Sequence, residues 1–269
     1  MATKRDDAPL PRLMQSRRWL LVIVVVLLAA FVALDQWRTA QPVLTQAMLP
    51  AGATTAAAAG RNTPQPRTRL GIIPGHNRVR KVGGEFERVL EPDPVTGMPP
   101  DPGATCKDGP SEADITWNVA RRVADELKRE GPMSAELLSE FDPLRARDKF
   151  FGLALISIHV DACLKDFSGF KVAHIAQSSV PQLEDALVNC LRDDYKAATN
   201  LQEHTNTITP DMQYYHAFNE ITPTTPGAII ELGFMNDDKE LLKQGDLPVK
   251  GLLDGIRCFA AKQGIIGDR

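Results

Sequence analysis

Three short segments of this chain, residues 70–73, 153–158 and 228–230, are almost entirely apolar. Each is followed, directly or after one tight turn, by a polar residue able to do chemistry: His76, His159 and Glu231. A short apolar run bounded by turn signals reads as a buried strand. Amphipathic segments lie between them. Ser111 can cap a helix through residue 128, with Ile115, Val119, Val123 and Leu127 recurring every four residues and Gly131-Pro132 stopping it. Residues 181–195 repeat the pattern with Leu183, Leu187, Val188 and Leu191, and helices around 239–242 and 248–263 close the chain. Strands alternating with helices predict a single α/β domain with a mostly parallel central sheet flanked by helices, spanning residues 69–265. Residues 170–175 read as a further strand after Gly169, residues 214–218 as another, and residues 144–151 as a short helix carrying Arg145 and Arg147 on its surface. The stretch 134–142 favours no element. Residues 77–110, with Gly83-Gly84 and six prolines, read as a long loop.

The N-terminal quarter is different. Residues 1–18 carry five basic side chains against two acidic ones, and residues 20–34 contain no charged side chain at all. Those 15 apolar residues span only about 22 Å as a helix, short of the ~30 Å hydrocarbon core. Trp19 and Trp37 extend the run as interfacial anchors. Residues 19–37 therefore read as a transmembrane signal-anchor helix or a cleaved secretory signal, the anchor being favoured because Phe31 spoils the small-residue cleavage pattern. The basic segment 1–18 stays in the cytoplasm by the positive-inside rule, which puts everything after Trp37 in the periplasm or at the cell surface. Residues 38–68, rich in Ala, Thr, Gln and Pro, form a flexible linker.

Bulk charge excludes one class of partner. With 31 basic and 34 acidic side chains the net charge is −3, so there is no field to attract nucleic acid. The four cysteines lack the close pairing of a zinc ribbon, but in an exported domain they are open to disulfides. If the strands are parallel, His76, His159 and Glu231 share the carboxyl edge of the sheet, where open α/β folds place their ligand sites. Two imidazoles with carboxylates at hand suit Zn²⁺, with a position left for water. His174, His204 and His216 sit where no metal is expected.

The residues from about 69 to 263 resemble the zinc-dependent N-acetylmuramoyl-L-alanine amidases of peptidoglycan. The resemblance rests on Pro-Gly-His at 74–76, Ser-Glu-Ala-Asp-Ile at 111–115, Ser-Ile-His-Val-Asp-Ala at 157–162 and Ile-Glu-Leu-Gly-Phe-Met-Asn at 230–236, in that order. It implies that His76, Glu112 and His159 are the zinc ligands and Glu231 the catalytic carboxylate. It implies peptidoglycan as substrate, with water cleaving the amide between N-acetylmuramic acid and L-alanine. Alternatives are a wall-binding or regulatory homologue without the chemistry, or another zinc peptidase. Against the family pattern, Ile73 and Asn77 flank the first motif differently, Asp161 stands where asparagine is usual, and the Thr-Arg pair after the first helix is missing. A bridge between Cys106 and Cys163, one arrangement among three full pairings, would pin the long loop beside the site.

Overall fold

The central layer is a five-stranded sheet in the order β4-β1-β5-β7-β6. We describe residues 68–267, apart from 143 and 146, from a computed structural model of the chain. The strands are β1 (Arg69–Pro74), β4 (Ser134–Leu137), β5 (Ala154–Asp161), β6 (Lys171–Ala173) and β7 (Gly227–Phe234). All neighbours pair in parallel except β6, which runs antiparallel along β7. The predicted mostly parallel α/β domain is therefore what the chain forms.

Alternation along the strands builds two unequal layers. Leu70, Ile72, Ile156, Ile158, Ile230 and Leu232 point to one face and join the main core. There they meet three long helices: α1 (Glu112–Glu130), α2 (Pro181–Thr199) and, after the short helices α3 (Pro210–Gln213) and α4 (Lys239–Gln244), α5 (Asp246–Lys262). In α1 the buried positions Ile115, Val119, Val123 and Leu127 fall on one stripe, as the spacing predicts. Ser111 caps that helix in a reciprocal box with Asp114. A second disulfide, Cys190–Cys258, ties α2 to α5.

The opposite face is covered mainly by irregular chain. Ile73 and Leu155 pack against Leu138, Phe150, Ala217 and Ile221. Farther along, Ala173 and Ile229 pack against Met212 and Phe218. This covering corrects two expectations. Residues 214–218 do not form a strand: Tyr215 precedes a 3-10 turn at His216–Asn219 whose apolar side chains lie on the sheet face instead of pairing at its edge. The described residues of 144–151 do not form a helix but turns, with a bridge from Phe150 to Ile221. Arg145 is accordingly not a surface side chain. It is buried, with Nε donating to Glu220 Oε2 at 2.6 Å.

The long segment 77–110 is also more ordered than expected. It contains a hairpin, β2 (Arg78–Val82) and β3 (Glu85–Val89), joined by Gly83-Gly84 with both φ angles positive. That is the backbone a two-residue hairpin turn requires. Its strands read RVRKV and EFERV, too charged to signal a buried strand. Among the described residues no helix is long and apolar enough to cross a membrane. The predicted basic segment 1–18, the span 19–37 and the linker 38–68, apart from Thr68, lie outside the described residues.

Candidate metal centre

Strand order decides where the site is. From β1 the chain passes through α1 to β4 on one side, then returns to β5 on the other. The crevice of an open α/β sheet opens at such a reversal, beyond the carboxyl ends of the strands. His76 leaves the end of β1, His159 lies near the end of β5, and Glu112 is the first residue of α1. The three offer ligand atoms that all lie within 4.8 Å of one another.

Glu112 is the hub. Its Oε1 lies 3.0 Å from His159 Nδ1 and accepts the Val160 backbone N–H. Its Oε2 lies 3.2 Å from His76 Nε2 and accepts the Ala104 N–H at 2.9 Å. Two glycines permit this crowding. A Cβ on Gly75 would sit 2.5 Å from the His159 ring, and one on Gly103, where φ is +64°, would sit 2.6 Å from Glu112 Oε2. Asn77, noted above as a departure, clamps the arrangement from below. It is buried, and its amide donates to the carbonyls of Gly75 and Ala113 at 2.8 and 2.9 Å, tying the end of β1 to the start of α1. The Cys106–Cys163 disulfide forms, so the loop bearing Asp101, Gly103 and Ala104 is fastened beside β5.

Each imidazole has an outer partner. His76 Nδ1 donates to Asp101 Oδ2 at 2.8 Å, so Nε2, which faces Glu112, is the nitrogen free to bind a cation once its proton is displaced. His159 Nε2 meets the Tyr215 hydroxyl at 3.0 Å. Metal-binding histidines usually carry such a carboxylate or hydroxyl on the second nitrogen, so the donor set and its surroundings fit a divalent cation.

Burial and charge oppose each other throughout. Burial alone would lower the His76 imidazolium, but the Glu112 and Asp101 carboxylates overcome it and raise its pKa to about 9. His159 is raised likewise against its burial, by Glu112, Glu231 and Glu140. Burial would raise Glu112, yet the two histidines hold it far below the usual carboxylate range. Without a bound cation, protonated histidines compensate the carboxylate.

Glu231 is the exception. In register across the sheet, His159 on β5 faces Glu231 on β7, which faces Lys171 on β6, so all three project from one face. Glu231 Oε2 is buried and has no hydrogen-bond partner. Burial raises its pKa to about 7; the His159 charge opposes this, and Glu112 and Asp161 add to it. The unusual Asp161 is answered by the buried Lys171, whose ammonium pairs with it and also donates to the Thr207 carbonyl at 3.2 Å.

Sequence reasoning missed Glu140. This buried carboxylate follows the end of β4, so the strand-end rule that found Glu231 would have found it had β4 been recognised. Glu140 accepts the His76 backbone N–H, where φ is +62°, and the Tyr215 O–H. Burial would raise its pKa, but His216, His159, Tyr215 and the His76 N–H bring it down to about 2. Tyr215 and His216 arrive on the irregular covering layer, which carries no periodic signal.

The sequence profile of the N-acetylmuramoyl-L-alanine amidases (Amidase_3) matches residues 72–248, from β1 into the start of α5. The chain belongs to that family. Solved structures agree in fold. AmiC2 of Nostoc punctiforme, an N-acetylmuramoyl-L-alanine amidase, superposes with a TM-score of 0.51 at 17% identity, covering 74% of this chain and 98% of that one. Ami1 of Mycobacterium smegmatis gives 0.51 at 19% identity, covering 74% and 99%. The catalytic domain of CwlV from Bacillus (Paenibacillus) polymyxa gives 0.52 at 16% identity, again covering 74% and 99%. No curated protein sequence matches the chain. The profile spans all four amidase motifs quoted above, including His76, Glu112, His159 and Glu231.

Proposed function

We propose that this chain is a zinc-dependent hydrolase that cuts the amide between the lactyl group of N-acetylmuramic acid and L-alanine in peptidoglycan. The observation carrying this reading is the convergence of His76, Glu112 and His159 on one point, inside a domain of the amidase family. In this role His76 Nε2, a Glu112 oxygen and His159 Nδ1 hold the ion. When bound, Zn²⁺ lowers the pKa of a water and polarises the scissile carbonyl.

The remaining steps fall to the protein. Glu231, raised to about 7, is ionised in a useful fraction near neutrality and can also hold a proton. It accepts a proton from the attacking water as that oxygen bonds to the carbonyl carbon. It then delivers the proton to the leaving nitrogen as the C–N bond breaks, freeing the amino group of L-alanine. Lys171 offsets Asp161, so that the charge of Asp161 does not hold Glu231 permanently protonated.

Location follows from the same reading: an N-terminal anchor at residues 19–37, a tether at 38–68, and the catalytic domain outside the cytoplasmic membrane. The two disulfides, which use all four cysteines, support an oxidising compartment. Digestion of purified sacculi tests the reaction. The zinc-loaded protein should release stem peptides with a free L-alanine amino terminus and leave the glycan strands whole. Released disaccharides, shortened peptides or binding without release would reject it.

A further inference from the structure

Tyr215 stands at the centre of three hydrogen-bonding groups, and its single proton has only one place to go. Glu140 Oε1 lies 2.5 Å from the phenol oxygen and, as a carboxylate, can only accept. The phenol proton is therefore committed to Glu140. Ser157 Oγ donates to the same oxygen at 3.2 Å. The third neighbour, His159 Nε2 at 3.0 Å, meets an oxygen with no proton left to give. Nε2 must then carry a hydrogen whether or not a cation is bound, so Nδ1, 3.0 Å from the Glu112 carboxylate, is the nitrogen whose proton a cation displaces. The other oxygen of Glu140 accepts the backbone N–H of His76, so one carboxylate braces both histidines. His216 closes the outer side, with Nε2 3.5 Å from Glu140 Oε1 and its ring stacked on Phe141 at 4.1 Å.

We propose that Glu140 and Tyr215 are positioning residues that fix His159 as the Nε2–H tautomer, presenting a bare Nδ1 to the cation, and so set the metal affinity of the centre. Neither touches the cation. The inference rests on the reading of His76, Glu112 and His159 as ligands, and its test does not use amidase turnover.

The consequences of substitution follow from proton counting. In Tyr215→Phe the Nε2–H loses its acceptor, but Glu140 Oε1, 3.5 Å from Nε2, is near enough to replace it in part. In Glu140→Gln the amide has one oxygen for two donors. If its NH₂ turns to Tyr215, the phenol proton is released toward His159 Nε2 and drives the hydrogen onto Nδ1. If it turns to His76, two N–H groups collide. Glu140→Gln should therefore be the worse variant. Ser157→Ala removes a donor that does not decide the tautomer.

The test is Zn²⁺ affinity of the full chain, measured by competition with a chromophoric chelator, with thermal unfolding recorded on each variant. Loss of such outer partners costs about 10–100-fold in metal affinity. We expect Tyr215→Phe near the lower end of that range, Glu140→Gln near the upper end, and Ser157→Ala within about twofold of the parent. In the zinc-loaded parent, NMR should show a slowly exchanging imidazole proton on His159 Nε2 that Tyr215→Phe loses. If Glu140→Gln fails to fold, Tyr215→Phe and the imidazole proton decide. Parent-like affinity in Tyr215→Phe, equal losses in all three variants, or a His159 ring that binds through Nε2 would overturn the proposal. A parent that binds no zinc would instead refute the ligand assignment itself.

Discussion

Replacing Glu231 by glutamine should make the protein more stable and nearly inactive. The carboxyl has a buried oxygen without a partner, and its pKa rises from about 4.5 to about 7. Between those two values the folded state keeps a proton that the unfolded chain has released, so stability falls as pH rises through that window. At ~1.36 kcal/mol per pKa unit the penalty above pH 7 is about 3 kcal/mol in the metal-free protein. Glutamine resembles the protonated acid and avoids it. Chelator-treated Glu231→Gln should match the parent near pH 4.5 and exceed it at pH 8 by several degrees, at about 2–4 °C per kcal/mol for a domain of this size. Activity on sacculi should fall by about 10²–10⁴, the usual worth of a general base. The assay is thermal unfolding from pH 4.5 to 8 beside stem-peptide release. A stability difference that does not grow with pH would refute the burial argument, and retained activity would refute the assigned base.

Other consequences follow. Zinc binding at pH 7 must displace protons from His76, raised to about 9, and from His159. Calorimetry in buffers of different ionisation enthalpy should show net proton release that shrinks as pH approaches 9, and no release would contradict the coupling. Opening the Cys106–Cys163 bridge by a Cys106→Ser and Cys163→Ser pair frees a 57-residue separation, worth at most about 4 kcal/mol in chain entropy, and unfastens the loop carrying Asp101 and Ala104. Denaturant unfolding should shift down, and zinc affinity should weaken with it. Arg145→Leu leaves the buried Glu220 carboxylate with His216 but without its guanidinium and should cost about 1.5–3 kcal/mol in the same assay, whereas Arg147→Leu, an exposed pair with Asp148, should cost under about 1.

The parts of this molecule that were legible in sequence are those built on a period or a strand end. β1, β5 and β7 announce themselves because parallel strands covered on both faces are apolar at nearly every position. The α1 stripe and the Ser111 cap are equally plain. Three strand or helix termini then deliver His76, Glu112 and His159. What escaped lacks a period. β2 and β3 alternate charged residues on an exposed hairpin, and β4 has only four residues, of which one is fully buried. The covering layer from 204 to 222 is fixed by contacts with Ile73, Leu155 and Ile229 far away in sequence, so Tyr215 and His216 gave no local sign of facing the site. Glu140 was hidden because its strand was. Lys171 was overlooked because its partner, Asp161, is next to it only after β6 pairs with β7.

The account stands on a cation held by His76 Nε2, Glu112 and His159 Nδ1. Diffraction from crystals grown with zinc, recorded on both sides of its absorption edge, looks at that directly. An anomalous peak within about 2.0–2.2 Å of those three atoms, with Glu231 facing it across a water, is the result expected. A map with no peak there, or with zinc bound only elsewhere while the protein still cleaves sacculi, would contradict it.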